Sequence, residues 1–180
     1  MSKKVLIIST SLRHNANSEI LARETEHGAK DAGHEVEFVS LKDKNIQFCR
    51  GCLACQKLGH CVINDDANEI TEKLKDAEVI VWATPVYYYE MSGQMKTMID
   101  RANSLYVTGH NFHDVYLITT SAEDSKGIVQ TVINGLNGWM ECLDNVELKG
   151  YVQAGGLENP NEASKEDLYK KQAYEMGKNI

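Results

Sequence analysis

The sequence predicts an α/β fold: a doubly wound five-stranded parallel sheet, strand order 2-1-3-4-5, with helices on both faces. Two observations carry this expectation. Short apolar runs rich in β-branched residues end in Ser, Thr or Pro, as strands buried on both faces do. Segments of helical periodicity separate them, and parallel strands need such crossovers. The 180 residues contain no Gly/Ser/Pro-rich linker and no internal repeat, so one domain over residues 1–180 is expected.

The elements follow in order. Val5 to Ile8 is the first, central strand. Ile20, Leu21, Ala22, Ala29 and Ala32 then recur among charges as on a helix, which Gly33 ends. Val36 to Leu41 reads as strand two. Asp65 and Asp66 precede "ANEITEKL", where they cap a helix and complement its dipole. Val79 to Ala83 is strand three, and "PVYYY" falls in the loop beyond it. Met91 to Leu105 has helical spacing at Met95, Met98, Ile99 and Ala102, with Lys96 and Asp100 as an i, i+4 surface pair. Val115 to Thr120 is strand four, Ile128 to Leu143 an apolar-faced helix with Cys142 as inert core, and strand five lies near Val146 to Val152. A last helix from about Ala163 to Met176 has Asn161 or Ser164 to cap it.

Charge narrows the function. Nineteen Lys and Arg against 26 Asp and Glu give −7, and the cations are scattered, which argues against DNA or RNA as partner. The apolar run at Val5–Ile8 is too short for a signal segment or a membrane span, so no membrane association is expected and the cytoplasm is the expected location. In that reducing compartment a thiol cluster binds metal or does redox work rather than forming structural disulfides.

Ligands of such sheets sit beyond the carboxyl ends of the strands. After strand one, "STSLRHNANS" supplies Ser9, Thr10, Ser11, Arg13, Asn17 and Ser18, hydroxyls and a guanidinium at a helix start. It is neither a P-loop nor a dinucleotide fingerprint, which leaves a mononucleotide phosphate, or simply an N-capped helix after a polar turn. After strand three, Thr84, Pro85, Val86, Tyr87, Tyr88 and Tyr89 offer stiff backbone and aromatic rings on which a flat heteroaromatic ring could rest; packing tyrosines are the plainer reading.

"VLIISTSLRHNANSEIL" resembles the "GSxRxxxNS/T" phosphate loop of the flavodoxin-like NAD(P)H-dependent FMN reductases, and "TPVYYYEMSGQMKTMIDR" is similar to their "PVYxxxxxxxxKxxxDR" segment. The resemblance implies a flavodoxin-like fold, FMN as cofactor, NAD(P)H as cosubstrate, and a small-molecule or redox-protein electron acceptor. It further implies a homo-dimer or homo-tetramer. It puts Ser11, Arg13, Asn17 and Ser18, with Ser9 beside them, on phosphate-binding positions. Pro85, Val86, Tyr87 and Tyr88, with Thr84, fall on the flavin-ring loop, and Thr119, Thr120 and Ser121 on a third flavin-side loop. The flavin carries the chemistry, so no catalytic side chain is expected. Thr10 stands where relatives commonly have Gly. Lys96, Asp100 and Arg101 match the family segment and read as structural, near a subunit contact.

Cys49, Cys52, Cys55 and Cys61 are spaced C-x2-C-x2-C-x5-C, the compact run of iron-sulfur sites, with Gly51 and Gly59 free to bend the backbone. Zinc, and thiols that are unligated or reversibly oxidised, stay open as alternatives. His60 lies inside the segment as a ligand or proton donor, whereas His110 and His113 read as a solvated loop. The same spacing after strand two resembles the iron-sulfur flavoprotein branch of the family, which implies a [4Fe-4S] cluster exchanging electrons with FMN. An electron carrier fed by ferredoxin, or a non-catalytic redox-sensing flavin module, are the competing functions.

Overall fold

The computed structural model describes residues 1–125 and 127–180. β1 (Lys4–Ser9), β2 (Glu35–Ser40), β3 (Val79–Tyr87), β5 (Asp114–Thr120) and β6 (Glu147–Ala154) form one parallel sheet in the order β2-β1-β3-β5-β6. This is the predicted winding. A short β4 (Glu90–Met91) adds an antiparallel pairing to the end of β3. The crossovers carry α1 (Asn17–Asp31), α2 (Ala54–Leu58), α3 (Asp66–Asp76), α4 (Gly93–Arg101), α5 (Leu105–Thr108) and α6 (Ile128–Met140), and α7 (Asp167–Lys178) ends the chain.

The continuous apolar runs are explained by the two faces. Leu6, Ile8, Ile80, Trp82, Val115 and Leu117 point into a core shared with α3, α4 and α6. Their alternating neighbours Val5, Ile7, Val79, Val81, Tyr116 and Ile118 point into the other, beneath α1 and α7. With strands of period two covered on both sides, both sets of positions along these runs are apolar, and polar residues begin only at the carboxyl ends.

α1 and α7 meet without side chains between them. A Cβ at Gly28 would stand 2.0 Å from the Tyr174 carbonyl oxygen, and one at Gly177 2.1 Å from that of Thr25. Thr25 Oγ1 donates across the same crossing to the Ala173 carbonyl at 3.0 Å. Gly28→Ala therefore forces the helices apart and is expected to lower stability by about 1–3 kcal/mol. A variant with the wild-type melting midpoint would contradict this packing.

Several predicted boundaries move. β3 continues through Pro85, Val86 and Tyr87, so these lie in a strand and not in the loop beyond it. The helix expected over Met91–Leu105 is two helices separated by a turn. Asn161 sits at φ 68 and makes no side-chain cap, and Ser164 donates to its carbonyl at 2.6 Å, so neither starts the last α-helix. α6 ends at Met140, which carries Cys142 past the apolar stripe and leaves it exposed rather than in the core. No helix among the described residues is long and apolar enough to cross a membrane.

Candidate functional site

At the carboxyl ends of the strands lies a cleft of about 190 Å³. Four chain segments meet there: Ser11, Arg13, Asn17 and Ser18 after β1; Pro85, Val86 and Tyr87 at the end of β3; Thr120 and Ser121 after β5; and Leu157 to Pro160 after β6. The topology places them together because β1, β3 and β5 are neighbours and all run the same way.

The start of α1 is open to an anion. Its N-cap, Ala16, supplies no side-chain hydrogen bond to the first-turn N–H groups. Ser18 lies fully buried in that turn, Ser9 fully buried at the end of β1, and the hydroxyl of each lacks a partner among the described residues. Buried hydroxyls are rarely left so. Free N–H groups and the positive end of the helix dipole complete a donor set for a phosphate. Arg13, the one cation lining the cleft among the described residues, donates from Nη1 to the Glu158 carbonyl at 3.0 Å, and its backbone N–H donates to Ser11 Oγ at 3.3 Å.

Other predicted residues are held by the protein itself. Asn17 Nδ2 donates to the Asn159 carbonyl at 2.9 Å and its Oδ1 accepts from the Ala163 N–H at 3.0 Å, so this side chain secures the segment after β6. Thr84 Oγ1 accepts from the Ser92 N–H at 3.0 Å and donates to the Pro85 carbonyl at 2.9 Å. Its hydroxyl is thus committed to the start of α4. Thr119 Oγ1 reaches the Val152 carbonyl at 3.5 Å, and Ser121 Oγ donates to the Glu123 carbonyl at 2.8 Å. Thr10 Oγ1 donates to the Ala83 carbonyl at 3.0 Å beside Ser92 Oγ at 3.0 Å, and its backbone is not at positive φ, so the turn tolerates a Cβ. The Leu157–Pro160 wall was missed, although its place after a strand's carboxyl end was the available signal.

Tyr88 and Tyr89 form the two-residue turn between Tyr87 and Glu90, at φ 49 and 63. A hairpin with both central residues at positive φ is of type I′, where Asn-Gly is the usual choice. The conformation is held from α6 and the loop before it: Thr131 Oγ1 donates to the Tyr89 carbonyl, and the Tyr89 hydroxyl donates to the Glu123 carboxylate at 2.8 Å. Tyr88 is left fully exposed and outside the cleft.

The four loop cysteines line a second, larger cleft of about 900 Å³, walled by α4, the α4–α5 turn and α6. Cys49 and Cys52 are exposed, Cys55 and Cys61 half-buried, and all are free thiols. Gly51 and Gly59 adopt φ 64 and 75, as expected for a tightly bent loop. Cys142 lines the same cleft from beyond α6. Among the described residues no three His, Cys, Asp or Glu side chains are grouped to hold a single ion. His60 sits against the Leu58 carbonyl at 3.0 Å, and His110 and His113 donate to the Phe112 and Asn145 carbonyls.

Both flanks of this segment are tied to one buried ion pair. Arg101 and Asp65 have side chains 0% exposed and meet through two hydrogen bonds of 2.6 and 2.7 Å. Arg101 also donates to the Gln47 and Ile63 carbonyls at 2.8 and 3.1 Å, while Asp65 accepts from the N–H groups of Gln47 and Ala67. Asp65 is thus the helix cap the sequence predicted and also an ion-pair partner it did not. Arg101 is buried and holds both flanks of the segment, in line with the structural part expected of it.

The model of the family described as NADPH-dependent FMN reductase matches residues 3–152. The chain belongs to that family. It is an FMN-dependent oxidoreductase that draws on NAD(P)H. Its relatives include an iron-sulfur flavoprotein of Methanocaldococcus jannaschii, 30% identical with 98% of this chain and 95% of the relative covered. Another is an iron-sulfur flavoprotein of Methanosarcina thermophila, 29% identical over 88% and 84% of the two chains. Among solved structures, the NAD(P)H:quinone oxidoreductase of Methanothermobacter marburgensis superposes with a TM-score of 0.75 at 16% identity, over 99% of this chain and 97% of that one. That similarity establishes the flavodoxin-like fold.

Proposed function

We propose that the cleft at the carboxyl ends of β1, β3 and β5 seats FMN, and that Cys49, Cys52, Cys55 and Cys61 hold a [4Fe-4S] cluster. The protein then passes reducing equivalents from NAD(P)H to a small-molecule or redox-protein acceptor. The observation that carries this reading is the pair of buried hydroxyls without a partner among the described residues, Ser9 at the end of β1 and Ser18 in the uncapped first turn of α1. When bound, FMN supplies the exchange between two-electron and one-electron donors and acceptors.

The protein's own part is binding and orientation. The first-turn N–H groups of α1 with Ser9, Ser11, Ser18 and Arg13 hold the phosphate; Asn17 acts one step back, fixing the Leu157–Pro160 wall. Pro85, Val86 and Tyr87, with Thr120 and Ser121, would hold the ring. Thr84 and the Tyr89–Glu123 bond keep the β3–β4 hairpin in place.

For the cluster, the fit lies in the donor set. Four thiols share one cleft, and soft all-sulfur ligation suits iron-sulfur chemistry. Cys49, Cys52, Cys55 and Cys61 would hold the cluster, which would supply one-electron transfer there. The two most extensive relatives named above carry iron-sulfur flavoprotein in their names, which supports the same assignment. A second copy of the chain covering the exposed Tyr88 hairpin, as a homo-dimer or homo-tetramer in the cytoplasm, completes the proposal. Its test is an anaerobic NADPH titration followed by visible spectroscopy, with FMN, iron and sulfide quantified on the same sample.

A further inference from the structure

The turn between α4 and α5 brings a polar side chain to the wall of the cysteine cleft. Asn103 Nδ2 lies 3.2 Å from Cys55 Sγ. An amide NH₂ donates and a thiolate sulfur can only accept, so towards a ligand sulfur this hydrogen bond runs from Asn103. From this contact we infer that Asn103 is a positioning residue for the Cys55 ligand, one whose donated hydrogen bond raises the reduction potential of the cluster. The inference rests on the cluster assignment proposed above.

Asn103 is well placed for this role. Two residues before it, Arg101 is locked to Asp65 and to the Gln47 and Ile63 carbonyls on either side of the cysteine segment. The turn is closed by the Leu105 N–H donating to the Ala102 carbonyl at 3.0 Å and the Tyr106 N–H to that of Asn103 at 3.3 Å. Asn103 is itself half-buried. The amide is therefore fixed relative to both flanks of the loop that carries Cys55. Its contact is with a sulfur of the proposed ligand set, while Gly51 N–H serves Cys49 Sγ at 3.4 Å from within the segment.

The sign follows from charge. Reduction adds one electron to a cluster already bound by four thiolates, so the reduced state is the more negative one. A donor to a ligand sulfur stabilises that state more than the oxidised one and moves the potential upward. The amide is neutral and keeps this effect over the working pH range, and no proton or bond is exchanged.

The test uses full-length protein reconstituted anaerobically with ferrous iron and sulfide. It is titrated with dithionite against mediator dyes while the cluster is followed by electron paramagnetic resonance. Asn103→Ala is expected to keep the iron and sulfide content and the FMN potential of wild type and to show a lower cluster potential. Asn103→Asp, which loses the donor and adds a negative charge, is expected to fall further, and Asn103→Ser, which restores a donor, to recover part of the shift. Wild-type cluster potential in Asn103→Ala at full iron content overturns the inference and leaves the cluster assignment standing. Wild-type protein that takes up no iron overturns both.

Discussion

Arg101→Met is expected to cost about 3–5 kcal/mol of stability, because it leaves the Asp65 carboxylate buried with no countercharge. The pair is completely enclosed, and the guanidinium also satisfies the Gln47 and Ile63 carbonyls. The loss should therefore be concentrated at the two ends of the cysteine segment. Denaturant melts would give the magnitude, and limited proteolysis between Gln47 and Ile63 the location. Asp65→Asn combined with Arg101→Met is expected to recover part of the loss, since no lone charge then remains buried.

The pair also sets an acid dependence. Burial pushes the Asp65 carboxyl upward, but the Arg101 hydrogen bonds, with those from the Gln47 and Ala67 N–H groups, outweigh it and hold its pKa below the usual value. Its contribution is complete above the unfolded-state pKa of about 3.9 and is lost as pH falls through the folded value. In Arg101→Met the same carboxyl is charged without compensation, so acid should relieve the variant while it weakens wild type. Equal pH profiles for the two would remove Asp65 from the account.

Ser18→Asp should abolish FMN binding while the protein stays folded. The new carboxylate would occupy the first turn of α1, where a negative charge is favoured by the helix dipole. Against a phosphate about 4 Å away at an effective dielectric near 20, the repulsion is about 4 kcal/mol, or about three decades in Kd. With the phosphate in the proposed site, Ser18→Ala would remove only one hydrogen bond to a charged group, about 1.5–3 kcal/mol. Quenching of FMN fluorescence by apoprotein distinguishes them. If Ser18→Asp bound FMN as wild type does, the phosphate would have to lie elsewhere.

What could be read in the sequence depended on how local the cause was. The strands at Val5–Ile8 and Val79–Ala83 were legible because burial on both faces leaves an unbroken apolar run. Gly51 and Gly59 were legible because tight bends favour residues that reach positive φ. Tyr88 and Tyr89 were not read as a hairpin turn, since a Tyr-Tyr pair carries none of the Asn-Gly signal and the turn is held by Thr131 and Glu123. Arg101 was legible as structural, but not its buried partner Asp65, 36 positions away. Asn17 matched a phosphate motif, yet its amide is satisfied by Asn159 and Ala163, far along the chain. Nonlocal partners such as these leave no periodicity to read.

The claim that one chain joins a flavin to a thiol-bound cluster is tested most directly by the anaerobic visible spectrum during reduction with NADPH. Two flavin bands that bleach on reduction are expected and, beneath them, a broad charge-transfer absorbance that bleaches separately, in protein carrying one FMN and four irons per chain. Flavin bands alone, in reconstituted protein with full FMN and no iron, would contradict it.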